Sequence, residues 1–385
     1  MSSRDTSDAP SLGEIARVFT VLGATSVGGP AAHVALLREE VVVRRRWVSE
    51  ARFVELLGVV NLLPGPNSTE LAIHLGKDLA GARGLVVAGL GFIVPAMLIT
   101  GAAAYGYVHA GARPELGALF DGVKPVVAAI VVHAIAGLAP VTLPSRRARG
   151  VAALALAAAI AGLHELALLV ACGAVYAALE GAHDQVFFPK RAFASPTMAG
   201  AVGAGAVVAT KPASAAALFG TFAKIGSVLY GSGYVLVAFL RAELVERLGW
   251  ITEAQLLDAV AVGQATPGPV FTTATFLGFV LGGVGGALAA TAGIFAPAFF
   301  FVSIADPLTH ALRRSRTGCA FLEGVNVASL ALMVHVSLLL AHAAIVDGVT
   351  FALAAGSAFT LFTRRATATQ LLAMGALVGL ARTLA

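Results

Sequence analysis

The amino-acid sequence predicts an all-α polytopic membrane protein built from two inverted-topology repeats with broken or half helices, joined by a linker transmembrane helix. Three observations predict this fold: an apolar composition, a duplicated segment, and a reversal of loop charge between the two copies. Of the 385 residues, 58% are hydrophobic and only 12% are charged, about half the charged share of a soluble domain. The composition therefore favours a chain that lies largely in lipid.

Long segments without Asp, Glu, Lys or Arg mark the predicted membrane crossings. About 20 apolar residues in a helix span the hydrocarbon core of a bilayer, which is about 30 Å thick. Each of the uncharged segments is long enough for one crossing: 84–112, 125–145, 192–210, 259–305 and 324–346. The stretch 259–305 holds 47 residues and leaves room for more than one crossing.

Two segments 203 residues apart repeat the same order of charged, aromatic and Pro-Gly-Pro residues. An ungapped comparison of 28–66 with 231–269 gives 15 identical positions out of 39. The only two Trp residues, Trp47 and Trp250, are partners in this comparison. Duplicated halves are typical of secondary transporters.

The repeats are predicted to cover 12–185 and 215–385, because the similarity continues beyond the Pro-Gly-Pro runs after a one-residue shift. Under that shift Lys124 aligns with Asn326. Between the repeats, an apolar stretch without a counterpart is predicted to form the linker transmembrane helix, residues 192–211.

Loop charge indicates that the repeats have opposite orientations. In the first repeat the segment 38–52 is strongly basic, whereas in the second the basic residues gather in a later loop at 313–316. Positive charge marks the cytoplasmic side of a membrane. An even number of crossings in each repeat, plus one linker crossing, predicts an inner (plasma) membrane protein with a cytoplasmic N-terminus and a periplasmic C-terminus.

Gly and Pro interrupt each repeat at two matching places. Proline lacks an amide donor and biases the preceding residue away from the helix, so these runs end a helix. Interrupted backbone at membrane depth is tolerated where protein or water satisfies it. The interruptions are therefore candidate substrate-binding positions: Gly28, Gly29 and Pro30, with Gly231, Ser232 and Gly233; and Pro64, Gly65 and Pro66, with Pro267, Gly268 and Pro269.

Polar residues follow each Pro-Gly-Pro run. They are Asn67, Ser68 and Thr69 in the first repeat, and Thr272 and Thr273 in the second. A half-helix that starts here presents free N–H groups and a partial positive charge. In an inverted arrangement such helix starts can meet near the bilayer midplane and bind a tetrahedral oxyanion. The alternative is a plain helix kink filled by packing.

Two interpretations are open for each of Glu70, His33 and Lys124, and His74 is a further coupling or gating candidate. Glu70 and His74 lie one turn apart on one helix face. An intramembrane carboxylate is a functional candidate, so Glu70 either binds a coupling proton or holds the break through a hydrogen bond. His33 is either a satisfied structural histidine or a coupling candidate. Lys124 either offsets anion charge near the cavity or reaches toward a membrane interface.

A set of charged residues recurs in both repeats with a spacing of four between its acidic member and the following arginine. That spacing lets each pair bridge on one helix face. The set either anchors an interfacial helix or attracts anions toward the mouth of the transporter. Its members are Arg38, Glu40 and Arg44 in the first repeat, and Arg241, Glu243 and Arg247 in the second.

Other functional classes lack sequence support. The net charge of +5 comes from short basic clusters between apolar segments, which do not indicate a nucleic-acid partner. Cys172 and Cys319 are too few for a disulfide framework or a thiolate metal site. The chain has no Walker A motif for ATP hydrolysis. The sequence thus predicts no metal and no cofactor, names the lipid bilayer as a partner, and is compatible with a homo-oligomer.

The motifs around the breaks resemble the chromate ion transporter family in its long, two-domain type. The resemblance covers nearly the whole chain, and five runs carry it: 28–33, 45–47, 61–70, 264–269 and 321–326. It implies chromate efflux, chromate resistance, and sulfate as a related oxyanion. Asn61 and Gln264, which precede the two Pro-Gly-Pro runs in these motifs, join the substrate-binding candidates.

The sequence therefore predicts a secondary active transporter, not an enzyme, that exports chromate through a midplane site between the repeats. Alternating access would rock one repeat against the other. One alternative is a transporter of sulfate or another tetrahedral oxyanion. Another is a membrane-embedded chromate reductase, which would need redox groups that two cysteines without a cofactor motif do not supply.

Overall fold

The computed structural model describes residues 10–26, 30–60, 63–109, 114–181, 213–229 and 235–384. These residues form fourteen α-helices and no strand, which confirms the predicted all-α fold. The helices of the first half are α1 (Leu12–Thr25), α2 (Pro30–Arg38), α3 (Glu50–Val60), α4 (Asn67–His109), α5 (Pro114–Thr142), α6 (Arg146–Ile160) and α7 (Glu165–Gly181).

The second half repeats this order of helices. It comprises α8 (Ala215–Val228), α9 (Leu236–Leu240), α10 (Glu253–Ala265), α11 (Thr273–Arg314), α12 (Arg316–Ala344), α13 (Gly348–Phe362) and α14 (Ala368–Leu384). Both α2 and α9 continue as π-helical turns, Glu39–Arg44 and Arg241–Arg247, and a 3₁₀ turn, Val270–Thr272, precedes α11.

Four helical spans are long and apolar enough to cross a membrane: Asn67–His109, Ala118–Thr142, Val270–Ile304 and Arg316–Ala344. Shorter apolar helices accompany them in both halves. The chain is therefore a polytopic membrane protein. The predicted linker helix, residues 192–211, lies outside the described residues.

In the first half, α3 and the start of α4 form a hairpin that reaches only part of the way across a bilayer. The 11 residues of α3 extend about 16 Å, roughly half of the hydrocarbon core. At the base of the hairpin Arg52 bonds Asp78 through two nitrogens, at 2.7 and 3.1 Å. Residues 63–66, which contain the Pro-Gly-Pro run, form the hairpin tip, and residues 266–269 form the equivalent tip in the second half.

The chain reverses direction directly after this hairpin. Gly81 has φ +60° and ψ −147°, and Gly283 has φ +60° and ψ −150°. A Cβ placed on Gly76 would lie 2.3 Å from the carbonyl oxygen of Gly84, so the segments before and after the reversal pack side by side. The stretch 259–305, which has room for more than one crossing, contains the end of α10, a tip, a short helix, a reversal and one long segment.

The long segments of α4 and α11 run antiparallel to each other. Lys77, near the base of the first hairpin, donates from Nζ to the carbonyls of Val302 and Ser303, late in α11. The ring of Tyr105, late in α4, lies 6.1 Å from that of Phe279 near the base of the second hairpin. These contacts support the predicted inversion, which stays a prediction together with the repeat boundaries.

The last helices of each half pack on the other half. Helices α13 and α14 pack on α5, whereas α6 and α7 pack on α12. Small residues allow close approach, as in many membrane helix pairs. A Cβ on Gly122 would lie 2.0 Å from the carbonyl oxygen of Gly375, and one on Gly324 would lie 2.3 Å from that of Cys172.

The helices therefore fall into two packing sets that do not coincide with the sequence halves. The tip set consists of α1–α4 and α8–α11, in which α1 packs on α4, α8 on α11, and α4 on α11. The exchanged set consists of α5–α7 and α12–α14.

Candidate anion site

The two hairpin tips are joined reciprocally to the opposite half. The amide of Gly65 donates to the carbonyl of Leu229 at 2.7 Å, and the amide of Gly268 donates to the carbonyl of Ser26 at 2.7 Å. Leu229 and Ser26 are the C-cap residues of α8 and α1. The structure thus brings each Pro-Gly-Pro run to the first helix of the other half.

Both tip glycines have positive φ angles, +140° at Gly65 and +91° at Gly268. A Cβ on Gly268 would lie 2.3 Å from the Cβ of Ala96 and 2.8 Å from the carbonyl oxygen of Gly23. A residue with a Cβ would strain the backbone at either position and would clash with the neighbouring atoms. The tips are consequently closely packed turns of defined shape, and their prolines are half-buried or buried.

In the first half, α4 begins at Asn67, and the carbonyl of Pro66 accepts from the amides of Thr69 and Glu70. Thr69 and Glu70 are fully buried. Among the residues that the structure describes, the hydroxyl of Thr69 and both carboxyl oxygens of Glu70 have no hydrogen-bond partner. A Cβ on Gly65 would lie 2.4 Å from Glu70 Oε1, so the carboxyl group rests against the tip.

His33 of α2 lies beside the same helix start. Its Nδ1 is 3.3 Å from Ser68 Oγ, its ring packs edge-on against Phe92, and its Nε2 has no hydrogen-bond partner. Whether His33 is a structural histidine or a coupling residue stays a prediction. His74, one turn beyond Glu70, is also buried.

In the second half, the threonine hydroxyls near the tip are directed toward backbone carbonyls. Thr272 Oγ1 donates to the carbonyl of Pro269 at 2.9 Å, and Thr273 Oγ1 donates to that of Val270 at 2.7 Å. Thr100 of the first half donates to Thr272 Oγ1 and lies 3.2 Å from Thr266 Oγ1. In this arrangement the hydroxyl protons of Thr272 and Thr273 serve the tip itself.

Gln264 is a further polar residue beside the second tip. It lies at the end of α10, three residues before Pro267, and is only 8% exposed. Its Nε2 has no hydrogen-bond partner within the described ranges. A buried amide donor without a partner costs free energy, which a bound anion would recover.

Lys124 is not directed toward a tip. Its Nζ lies 3.1 Å from an oxygen of Asp258 in α10 and 3.2 Å from one of Asp121. The hydroxyl of Tyr107 donates to the second oxygen of Asp258 at 2.8 Å. Motifs and spacing do not single out Asp258 or Tyr107, although the alignment of Asp258 with Glu55 marks an acidic position shared by both repeats.

This contact is not matched in the other half. Asn326 and Glu55 occupy the equivalent positions, yet in the described part of the chain α12 does not pack on α3 as α5 packs on α10. Glu55 bonds Arg52 on its own helix at 2.9 Å.

The recurring charged residues lie at the hairpin bases, not at the tips. Arg38 bonds Glu50 through two nitrogens at 2.7 Å, and the equivalent Arg241 lies 2.6 Å from Glu253. The predicted four-residue spacing produces two ion pairs, Glu40 with Arg44 and Glu243 with Arg247. Glu243 also accepts from Lys224 at 2.9 Å. A cavity of about 480 Å³ opens beside this second cluster.

Six predicted site residues lie outside the described residues: Gly28, Gly29, Asn61, Gly231, Ser232 and Gly233. Pro30 begins α2.

Comparison with known proteins gives consistent matches along the chain. A family profile described as "Chromate transporter" matches residues 13–178 and again 216–380. The chromate transport protein of Pseudomonas aeruginosa is 35% identical over 316 residues, which cover 80% of this chain and 76% of the relative. The probable chromate transport protein of Synechococcus elongatus is 30% identical over 351 residues, covering 89% and 88%.

A third relative, the chromate transport protein of Cupriavidus metallidurans, is 29% identical over 373 residues, covering 96% of this chain and 92% of the relative. No solved structure gives a significant match.

Proposed function

Because the chain belongs to the chromate transporter family, we propose that it exports chromate across the inner membrane through a site between the two hairpin tips. The observation that carries the location is the reciprocal pair of tip bonds, Gly65 to Leu229 and Gly268 to Ser26. These bonds support a shared site because each tip contacts the first helix of the opposite half, and Gln264, whose Nε2 has no hydrogen-bond partner among the described residues, lies three residues before Pro267. N–H donors and helix starts bind oxyanions without a buried full positive charge.

Export of a dianion needs no ATP. An inside-negative membrane potential favours the exit of each negative charge by about 2.3 kcal/mol per 100 mV. The chain would thus act as a secondary transporter, and outward movement of chromate would confer resistance on the cell.

Access would alternate by movement of the tip set against the exchanged set. A whole sequence repeat does not suit this role, because α13 and α14 pack on α5 while α6 and α7 pack on α12. With the basic segment 38–52 on the cytoplasmic side, the contact of Lys124 with Asp258 would lie toward the periplasm.

Chromate flux into and out of proteoliposomes tests this proposal. Replacing Gln264 by Leu removes an amide donor to a charged substrate, worth about 1.5–3 kcal/mol, so chromate affinity should fall by about 10- to 100-fold. Ser337→Ala is the matched control, since Ser337 is buried and its hydroxyl already donates to the carbonyl of Met333.

Radiolabelled sulfate identifies the substrate in the same vesicles. Competition by sulfate would indicate an oxyanion site of broad selectivity. If chromate neither moves nor competes while sulfate moves, the chain is a sulfate transporter and the proposed substrate is wrong.

A further inference from the structure

Glu70 is a carboxyl group at the first tip, and in the described part of the chain it has no hydrogen-bond or ionic partner. It is fully buried, neither oxygen accepts or donates a hydrogen bond, and Oε1 would touch a Cβ on Gly65 at 2.4 Å. The residue lies in the first turn of α4. It is therefore within the region where the proposed anion site lies.

The elements packed around Glu70 bring no cation to it. On α2 and α4 the nearest titratable groups are His33, which contacts Ser68, and His74. Residues 259–305, which include the start of α11 and its preceding turn, contain no charged residue or histidine, and neither do the short segments 27–29, 61–62 and 230–234.

The charged residues of the neighbouring helices lie at hairpin bases or in pairs of their own. On α1 these are Glu14 and Arg17, near its start; on α3 Glu50, Arg52 and Glu55; on α8 Lys224, which pairs with Glu243; and on α10 Glu253 and Asp258, which pair with Arg241 and Lys124. An ionised carboxylate that is buried without a partner is strongly disfavoured. The carboxyl of Glu70 is therefore neutral in this conformation.

We propose that Glu70 is the proton-binding site of the transporter and that its proton moves together with the anion. This inference rests on the proposed function. An ionised Glu70 would repel a dianion at the tip, whereas the neutral acid would not. The anion thus binds to the protonated form, and release of the anion on the other side allows Glu70 to lose its proton to the water there.

The second half has no acidic residue at the equivalent position, so one proton would move in each transport cycle. The position equivalent to Glu70 is Thr273, whose hydroxyl already donates to the carbonyl of Val270. One proton would accompany each chromate dianion, so each transport cycle would carry one net negative charge instead of two.

Reversal potentials in proteoliposomes count that charge. With a tenfold chromate gradient, net flux stops at a membrane potential of about 59 mV if one net charge moves per chromate, and at about 30 mV if two charges move. For the wild type we expect about 59 mV, shifted by a further 59 mV or so for each tenfold proton gradient. Both pH values are kept alkaline, where chromate is a dianion.

Glu70→Gln keeps the shape of the neutral acid but cannot release a proton. We expect this variant to transport chromate with a reversal potential near 30 mV in a tenfold chromate gradient, and we expect no response to a proton gradient. Glu70→Thr introduces the residue that the second half has at the equivalent position, Thr273, and should behave in the same way. Asp347→Asn is the control, because Asp347 lies outside the membrane-spanning helices, and it should match the wild type. Thermal melting in detergent verifies that each variant is folded.

The outcomes separate this inference from the proposed function. A wild-type reversal potential near 30 mV that does not shift with a proton gradient overturns the proton site. Chromate transport itself would still stand. A folded Glu70→Gln variant that keeps the wild-type charge and pH response, or that moves no chromate, also overturns it. Absence of chromate flux in the wild type overturns the proposed function itself.

Discussion

Single residues define the tips and the ends of the helices. Gly65 and Gly268 adopt positive φ angles, and their amides bridge to the other half. The sequence predicts these two turns, because Pro-Gly-Pro cannot continue a helix. It does not predict their partners, since Leu229 and Ser26 contribute only backbone carbonyls, which any residue would supply.

Asp347 offers a pH test at this scale. It caps α13 by accepting from the amide of Thr350 at 2.8 Å and pairs with Arg382. The hydrogen bond from Thr350 and the pair with Arg382 lower the pKa of Asp347 from 3.8 to about 2. A lowered pKa stabilises the fold above the unfolded value and loses that effect as the pH falls toward the folded value.

We therefore expect the stability that Asp347 contributes to disappear as the pH falls from about 4 to about 2. Asp347→Asn should show a smaller change of melting temperature over that window than the wild type. Equal slopes for the two proteins would contradict this account. Above pH 5 the difference between them should stay constant.

At the scale of elements, the distinctive feature of each half is the reversal after the short helix. Gly81 and Gly283 adopt backbone angles that only glycine reaches without strain, yet a Cβ on either would meet no atom within 4 Å. Their role is thus conformational rather than one of packing.

Alanine at these positions isolates that role. Gly81→Ala and Gly283→Ala should each destabilise the protein by about 1–3 kcal/mol, the cost of a strained backbone region. Gly106→Ala is the matched control, because Gly106 lies inside α4 with equally open surroundings. Gly106→Ala should be neutral or slightly stabilising, by up to about 1 kcal/mol. Thermal melting in detergent gives the comparison, and equal losses at all three positions would exclude the backbone explanation.

The sequence predicts where these elements break but not how the chain continues. Pro64 and Pro267 end helices by chemistry that local sequence reveals. Gly81 and Gly283, by contrast, are two of the 43 glycines, and a glycine in an apolar run is equally compatible with a continuous membrane helix. For that reason the reversal within 259–305 does not follow from the sequence.

At the scale of the molecule, the two halves have the same order of helices but differ in the contacts that the helices make. Lys124 closes on Asp258 in one half, whereas the equivalent Asn326 and Glu55 are not in such a contact. In a pair of inverted repeats, exchange of the two conformations generates the opposite access state. The asymmetry of the described conformation therefore indicates which contact the other state would form.

Paired cysteines test this exchange in a background with Cys172 and Cys319 replaced by Ala. A short thiol-reactive cross-linker should join Lys124→Cys to Asp258→Cys in the described state, and Glu55→Cys to Asn326→Cys in the opposite state. Either cross-link should reduce chromate flux by at least tenfold, because each holds one state. An active protein in which the second pair never cross-links would contradict the exchange, and single-cysteine variants control for modification alone.

The mutual packing of the last helices also constrains how the protein is made. Helix α5 leaves the ribosome well before α13 and α14, which pack on it. Until α13 and α14 are synthesised, the surface of α5 that they cover lies in lipid or against the insertion machinery. A chain terminated before α13 would leave that surface uncovered, and cellular quality control should remove such a chain even though its two tips are complete.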